Sequence, residues 1–402
     1  MTFIACSKAC FNAFKETLAG HLFGVGGLVA GLVLAWQLGI FKNVPWVIAV
    51  YFTILTANGV INGLFSGRLN TALHIGTLSP SFHGSKSNFR ALLQPLLAIT
   101  LITSLASSLV SMVFGSLFWG IALGDFSNIL FVVLATMNLG LILYLFNLAI
   151  TFVAFKKGLD LDSVAYPIIA TVADVFITAC YAATLDLFFN SESLGRFLVL
   201  LVAILPVILM VCALPRNIRR EEFVRPVKAS ILALMLVAII ANITGTVLNR
   251  INILTSGRME ISSVLPALIE LVSDAGLVIS STATARLALG LLRPSFSAIK
   301  DNFLQILGAW IASAIAFIFF SVSSLLANGV FSPSRFLTFT SMLLVTDAIA
   351  VIAIIVISYA LAVLTFHKGL DPDHFVVPIE NSLAGVVTSI ALFAALSLLR
   401  LF

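Results

Sequence analysis

Five carboxylic acids lie in apolar stretches of the sequence, where charged side chains are rare: Asp174, Glu270, Asp274, Asp347 and Glu380. A charge deep in hydrocarbon costs at least about 2.5–3.5 kcal/mol on insertion scales, so such residues are expected to have a function. No lysine or arginine lies at a comparable depth to pair with them, and a bound cation is the natural partner. Carboxylate, carbonyl and water oxygens suit Mg²⁺, Ca²⁺ or Mn²⁺ better than they suit soft metals.

The spacing of these acids leaves more than one role open for each. Glu270 and Asp274 are four residues apart and share a helix face, so they line an ion pathway or are protonated and hydrogen-bonded between helices. Glu380 lies near the start of its apolar stretch, where a solvated charge costs little. Asp174 is seven residues beyond Pro167, roughly 10 Å into its helix, and is expected to contact the ion.

A second pattern is a polar and small-residue stripe in one apolar stretch. The residues recur every four positions, which places them on helix faces: Asn58, Asn62, Ser66 and Asn70, with Gly59, Gly63 and Gly67 beside them. Small residues allow close helix packing, whereas asparagines in hydrocarbon need a partner helix or water. We predict that Asn58 and Asn62 line the pore.

The elements that position these residues are transmembrane helices. Of 402 residues, 60% are apolar and 10% are charged, whereas soluble domains carry about 25% charge. This excludes a soluble or a disordered protein, and apolar runs without alternation argue against an outer-membrane barrel. An all-α polytopic membrane protein remains. Helices of roughly 20 residues predict eleven spans, at 22–41, 46–72, 91–123, 129–155, 164–189, 196–215, 230–250, 261–290, 303–327, 336–366 and 375–399.

Charge predicts the orientation of these spans. One side of the predicted topology holds 16 lysines and arginines and the other holds 6. The positive-inside rule then puts the N-terminus in the cytoplasm and the C-terminus outside, in a plasma or inner membrane. The net charge of +5 fits loops that face a cytoplasmic leaflet, and we expect no nucleic-acid partner. Four cysteines do not make a disulfide framework.

The chain also repeats itself. Residues 155–187 align without a gap on 366–398, with 13 of 33 positions identical. The identities include Lys157-Gly158-Leu159-Asp160 over Lys368-Gly369-Leu370-Asp371, Asp162 over Asp373 and Pro167 over Pro378. Upstream the offset grows to about 217, and Arg68 matches Arg286.

The predicted domains follow from this repeat. Residues 1–193 form a first five-helix repeat with an interfacial helix at 11–21, 194–220 form a connecting helix and a basic loop, and 221–402 form a second five-helix repeat with a similar segment at 221–228. Because the connecting helix returns the chain to the first side, both repeats point the same way.

These motifs resemble the membrane domain of MgtE-type magnesium transporters, especially the fused two-repeat form of solute carrier family 41. The resemblance rests on the helix opening from Lys157 through Pro167 to Asp174, and on the stretch Asn58–Gly76 with its asparagines and glycines. It implies that Asp174 and the backbone carbonyl of Ala170 hold a hydrated Mg²⁺ on the pore axis. The second repeat departs from this pattern, because Asn381 replaces the alanine and Gly385 replaces the aspartate.

The sequence therefore predicts a transporter or channel for divalent cations, with Mg²⁺ as the transported ion and no other cofactor. Its pathway is expected between two pseudo-symmetric halves, with candidate metal contacts at Asp174, Ala170, Asp274, Glu270, Asp347, Asn381 and Glu380. The expected partners are the cation and the lipid bilayer, and one chain can suffice because it is a pseudo-dimer. A Na⁺- or H⁺-coupled exchanger of the same fold is the alternative. An intramembrane enzyme is a remote one, because no Gly-x-Gly-Asp motif or Asp-rich helix is present.

Overall fold

The computed structural model describes residues 3–37, 44, 46–80, 86–122, 124–159, 161, 165–191, 193–369 and 372–401. Within these ranges the chain forms thirteen α-helices and no strands. The helices are α1 (Phe3–His21), α2 (Val25–Trp36), α3 (Val47–His74), α4 (Lys86–Phe114), α5 (Asp125–Leu139), α6 (Ile142–Lys156), α7 (Tyr166–Leu185), α8 (Ser193–Asn217), α9 (Glu221–Leu254), α10 (Met259–Ala288), α11 (Phe303–Ala327), α12 (Pro333–Lys368) and α13 (Pro372–Leu398).

The all-α membrane fold predicted from the sequence is confirmed. Eleven helical segments of the described residues are long and apolar enough to cross a bilayer. Short π-helical turns at Gly115–Trp119 and Asp186–Asn190 extend α4 and α7. Helices satisfy their own backbone hydrogen bonds, which is the condition for spanning hydrocarbon.

The structure differs from the sequence prediction at the start of both predicted repeats. The first apolar segment covers Cys10–Trp36, so it includes the residues that were expected to form an interfacial helix. Likewise α9 is one helix from Glu221 to Leu254, and residues 221–228 are its first two turns. Charges such as Lys15 and Glu16 made the first segment look interfacial, but they occupy only its exposed side.

The chain divides into two compact units. Unit 1 comprises residues Met1–Ala35 and Arg250–Phe402, and unit 2 comprises Trp36–Asn249. Helices α1 and α2 therefore pack with the second half of the sequence, whereas most of α9 packs with the first half. The domain boundaries at 193 and 220 were drawn from the sequence repeat and stay a prediction.

In unit 1, α10 is the central helix. It packs against α1, α11, α12 and α13, and α1 also packs along α11. The central position of α10 explains why Val264, Leu268 and Leu271 are fully buried. Glu270 and Asp274, both half-buried, interrupt this apolar helix.

In unit 2, α3 packs against α4, α5, α6 and α7, and α8 lies against α5. The start of α3 meets the end of α7, because the Tyr51 and Thr178 hydroxyl oxygens are 2.8 Å apart and the Tyr181 hydroxyl donates to the Val47 carbonyl at 2.6 Å. These contacts show that the two helices run antiparallel.

Both units contain very close approaches between two helix backbones. A methyl group added to Gly31 of α2 would collide with the carbonyl of Ser263 in α10, and one added to Gly245 of α9 would collide with the carbonyl of Ala49 in α3. Gly245 lies 214 residues after Gly31, and Ser263 lies 214 residues after Ala49. The same contact thus recurs at an interval close to the sequence repeat.

We predict that Gly31→Ala destabilises unit 1, because the added methyl group must displace the backbone of α10. Overpacking of this kind costs about 1–3 kcal/mol, and we expect a lower melting temperature in detergent. Gly59→Ala is the matched control, because no atom lies within 4 Å of a methyl group at that position. Equal melting temperatures for the two variants would contradict the close approach.

Candidate functional site

One face of α3 in unit 2 carries small, half-buried residues. Thr56, Gly59, Gly63 and Gly67 recur at intervals of three or four residues, Ser66 lies beside Gly67, and all five are half-buried. The Ser66 hydroxyl accepts a hydrogen bond from Asn147 of α6 at 2.9 Å. A methyl group at Gly59 or Gly67 would meet no atom within 4 Å. We refer to these five residues as the open stripe of α3.

The asparagines that were predicted to line the pore lie beside this stripe. Asn58 and Asn62 are 1% and 3% exposed, and the Asn62 side chain donates to the Asn58 carbonyl at 3.2 Å. The Asn58 amide oxygen lies near Gly140, at the break between α5 and α6. Their pore-lining role stays a prediction, because the structure directs these side chains toward the interior of unit 2.

Asp174 is held on α7 next to the same region. The Thr178 hydroxyl donates to the Asp174 backbone carbonyl at 2.6 Å, and Thr178 in turn contacts Tyr51 of α3. Ile177, three residues after Asp174, reaches Gly140, where Asn58 also lies. Both Asp174 and Ala170, one turn earlier, are half-buried. A residue that is not fully buried, with a small neighbour one turn away, leaves room for water around an ion.

In unit 1, Glu380 is fully buried and joins three helices. Its two carboxylate oxygens accept hydrogen bonds from Ser358 of α12 at 2.6 Å and from Ser280 of α10 at 3.0 Å. Gly276 faces the same carboxylate, and a side chain there would collide with it. The sequence placed Glu380 near an interface, but 0% of it is exposed.

Two further predicted site residues of unit 1 are also hydrogen-bonded to serines. Asp347, which is 1% exposed, accepts from Ser313 of α11 at 2.7 Å. Asn381 accepts from Ser273 of α10 at 2.6 Å. These bonds give the side chains a role in helix packing, and their predicted role as metal contacts stays a prediction.

Among the predicted metal contacts of unit 1, Glu270 and Asp274 are acids that are not fully buried. Both are half-buried on one face of α10. Gly27 of α2 abuts the Glu270 carboxylate, and Gly20 of α1 abuts that of Asp274.

The sequence did not predict the contact between His21 and Asp274. The His21 Nδ1 atom lies 3.4 Å from the Asp274 carboxylate, and the His21 side chain is 2% exposed. The sequence offered one signal, a histidine immediately before the first long apolar run. A helix at the membrane interface, as predicted for residues 11–21, would not bring His21 into contact with a residue inside a transmembrane helix.

The structure does not bring all the predicted metal contacts together. Among the described residues, no three His, Cys, Asp or Glu side chains lie close enough to hold one ion. Asp174 and Ala170 belong to unit 2, whereas the other five belong to unit 1. The loop acids Asp160, Asp162, Asp371 and Asp373 and the prolines Pro167 and Pro378 lie outside the described residues or side chains.

We predict that Ser358→Ala destabilises the protein. Removing this donor leaves an oxygen of a fully buried carboxylate without its hydrogen bond, which costs about 1–3 kcal/mol. The melting temperature in detergent measures the effect. Ser281→Ala is the matched control, because Ser281 is an exposed serine of α10 that donates only to the Val278 carbonyl. A Ser358→Ala protein as stable as the control would argue against a hydrogen-bonded role for Glu380.

Comparison with known proteins identifies one part of this chain. Residues 51–184 match the family model MgtE, a divalent cation transporter. The match runs from near the start of α3 to the end of α7 and includes Asn58, Asn62, Ala170 and Asp174. No curated protein and no solved structure matches the chain. The resemblance seen in the sequence is confirmed for this third of the chain, because residues 51–184 match the model of the MgtE divalent cation transporter family; the likeness to the two-repeat form of solute carrier family 41 stays a prediction.

Proposed function

We propose that the protein moves Mg²⁺ across a membrane along a water-filled path that follows the open stripe of α3. The single observation that carries the proposal is that this stripe lies within the segment that matches the MgtE family. The half-buried carboxylate of Asp174 lies on α7, the neighbouring helix.

The chemistry of the stripe supports water rather than lipid on that face. Lipid-facing helices present large apolar side chains, as α8 does with Leu201, Leu205 and Ile208, all exposed. The open stripe of α3 instead presents glycine, serine and threonine. Glycine leaves space for a chain of water molecules, and hydroxyl groups can hydrogen-bond to them.

A hydrated ion suits this arrangement better than a dehydrated one. Mg²⁺ gives up its water reluctantly and is usually bound by one or two carboxylates with several waters retained. Asp174 supplies one carboxylate, and the Ala170 carbonyl one turn earlier supplies a second acceptor for ion-bound water. Ca²⁺ sites, in contrast, use six to eight oxygen ligands. The proposal therefore assigns Asp174 to the ion and favours Mg²⁺.

The predicted metal contacts of unit 1 have different environments and therefore different proposed roles. Glu270 and Asp274 are half-buried, and their predicted part in an acidic path rests on the sequence alone. Asp347, Glu380 and Asn381 accept hydrogen bonds from serines, so they stabilise the helix packing of unit 1 and could contact an ion only after those hydrogen bonds break. The location of the path between two pseudo-symmetric halves rests on the sequence repeat alone.

Coupled exchange with Na⁺ or H⁺ is the second candidate. It is favoured by the burial of Glu380 and Asp347, because a carboxyl group without access to water can carry a proton through a transport cycle. The two candidates differ in what drives the ion. A channel moves Mg²⁺ down its own gradient, whereas an exchanger requires a Na⁺ or pH gradient.

We predict that Asp174→Asn abolishes Mg²⁺ entry into proteoliposomes, measured with a Mg²⁺-sensitive dye, because the amide cannot neutralise the ion. The matched control is Asp186→Asn, which changes an exposed acid beyond the end of the same helix and should leave flux unchanged. Both variants should elute as monodisperse protein and melt near the wild-type temperature.

The outcome that contradicts this assignment is Mg²⁺ flux in the folded Asp174→Asn protein that equals the wild-type flux. Repeating the wild-type assay without Na⁺ and without a pH difference separates the two candidates. Flux that persists supports a channel, and flux that disappears supports coupled exchange.

A cysteine-accessibility experiment tests the water-filled path directly. In a background with the four native cysteines replaced by serine, we expect Cys at Thr56 and at Gly59 to react with a charged thiol reagent, because the thiol ionises only in water. Leu205→Cys on the apolar face of α8 is the control and should stay unreactive. Reaction at Leu205 that is as fast as at Gly59 would remove the basis for a water-filled stripe.

A further inference from the structure

His21 is a buried imidazole whose hydrogen-bonding capacity is unused. The residue is 3% exposed, and neither ring nitrogen has a hydrogen-bond partner among the described residues. Leaving a polar group in this condition costs about 1–3 kcal/mol. Thr17, one turn earlier on the same face of α1, also has a buried hydroxyl without a partner in the described part of the chain. Both groups are therefore available to a ligand on this face of α1.

The group nearest to the imidazole is the carboxylate of Asp274. The distance of 3.4 Å between Nδ1 and Oδ2 exceeds the usual range of about 2.7–3.2 Å for a hydrogen bond. It agrees with the separation of two donor atoms on one metal ion, because bonds of about 2.0–2.1 Å at a tetrahedral angle put nitrogen and oxygen about 3.3 Å apart. The side chain of Asp274 is 27% exposed, which gives an ion a route of entry.

We propose that His21 and Asp274 form a second cation site in unit 1, which takes a divalent transition-metal ion of the Co²⁺, Ni²⁺ or Zn²⁺ class. Imidazole nitrogen is a good ligand for these ions, whereas Mg²⁺ prefers oxygen ligands alone. The protein would supply two ligands, and water would complete the coordination sphere. The Thr17 hydroxyl lies on the face from which it can hydrogen-bond to such a water.

The charge around the site favours a cation of charge +2. Asp274 supplies one carboxylate, and Glu270 lies one turn away on the same face of α10. Lys15 and Glu16, which are the charged residues of α1 closest to His21 in sequence, are exposed on the other side of the helix. This site goes beyond the proposed Mg²⁺ transport, since binding here requires neither Asp174 nor ion flux.

Co²⁺ binding to the purified full-length protein in detergent tests the site, because tetrahedral nitrogen and oxygen ligands give Co²⁺ a visible absorption band. We expect one equivalent of Co²⁺ to bind and to resist competition by excess Mg²⁺. His21→Gln and Asp274→Asn should each weaken binding at least ten-fold. His74→Gln is the matched control for adventitious histidine binding, because His74 is exposed at the end of α3.

The design separates this site from the transport assignment. Asp174→Asn should retain Co²⁺ binding, so loss of flux in that variant leaves the second site intact, and failure of the second site leaves the flux result unaffected. Should His21→Gln fold poorly, anomalous diffraction from a Co²⁺-soaked wild-type crystal locates the ion instead. Co²⁺ affinity that is unchanged in both His21→Gln and Asp274→Asn, or an anomalous peak away from these two side chains, overturns the proposal.

Discussion

The free-energy cost of placing a carboxylate in hydrocarbon is the constraint on which this structure depends. Each such group must be given donors or water, because an ion left without either costs several kcal/mol. The chain meets this requirement in two ways. Glu380 and Asp347 are buried and accept hydrogen bonds from serines of neighbouring helices, whereas Asp174, Glu270 and Asp274 lie on half-buried helix faces. The first kind of environment stabilises the helix bundle, and the second leaves the charge available to an ion.

The same constraint explains several glycines. A carboxylate between helices needs space, and Gly20, Gly27 and Gly276 provide it beside Asp274, Glu270 and Glu380 respectively. In a transmembrane helix, small residues are usually interpreted as helix-packing motifs. Here that interpretation holds for Gly31, where two backbones meet, and not for Gly59, where a methyl group would meet no atom within 4 Å. Glycine therefore serves backbone contact, carboxylate accommodation and open space at different positions of one chain.

The eleven apolar helices could be predicted from the sequence, because the bilayer requires each span to satisfy its own backbone and to be apolar over about 20 residues. Partners distant in sequence could not be predicted. Nothing in the local pattern of residues 3–36 shows that they pack with α10 and α11, more than 200 residues later, so His21 was not connected to Asp274. The sequence also did not show which side of α3 is buried, because Asn58 and Gly59 are adjacent and both faces of that helix carry small or polar residues.

The same kind of contact between helix backbones occurs within each unit, whereas the buried and half-buried acids lie on different helices in the two units. Packing explains this difference. Where Gly31 meets Ser263 and Gly245 meets Ala49, any side chain would strike a carbonyl group of the facing helix, so neither position tolerates change. A carboxylate is less restricted, because it is accommodated wherever serine donors, a glycine and some water come together. Acidic residues can therefore occupy different helices in the two units, as Asp174 does on α7 and Asp274 on α10. The two proposed cation sites, at Asp174 and at His21 with Asp274, would accordingly use different ligand chemistry on scaffolds that repeat the same backbone contact.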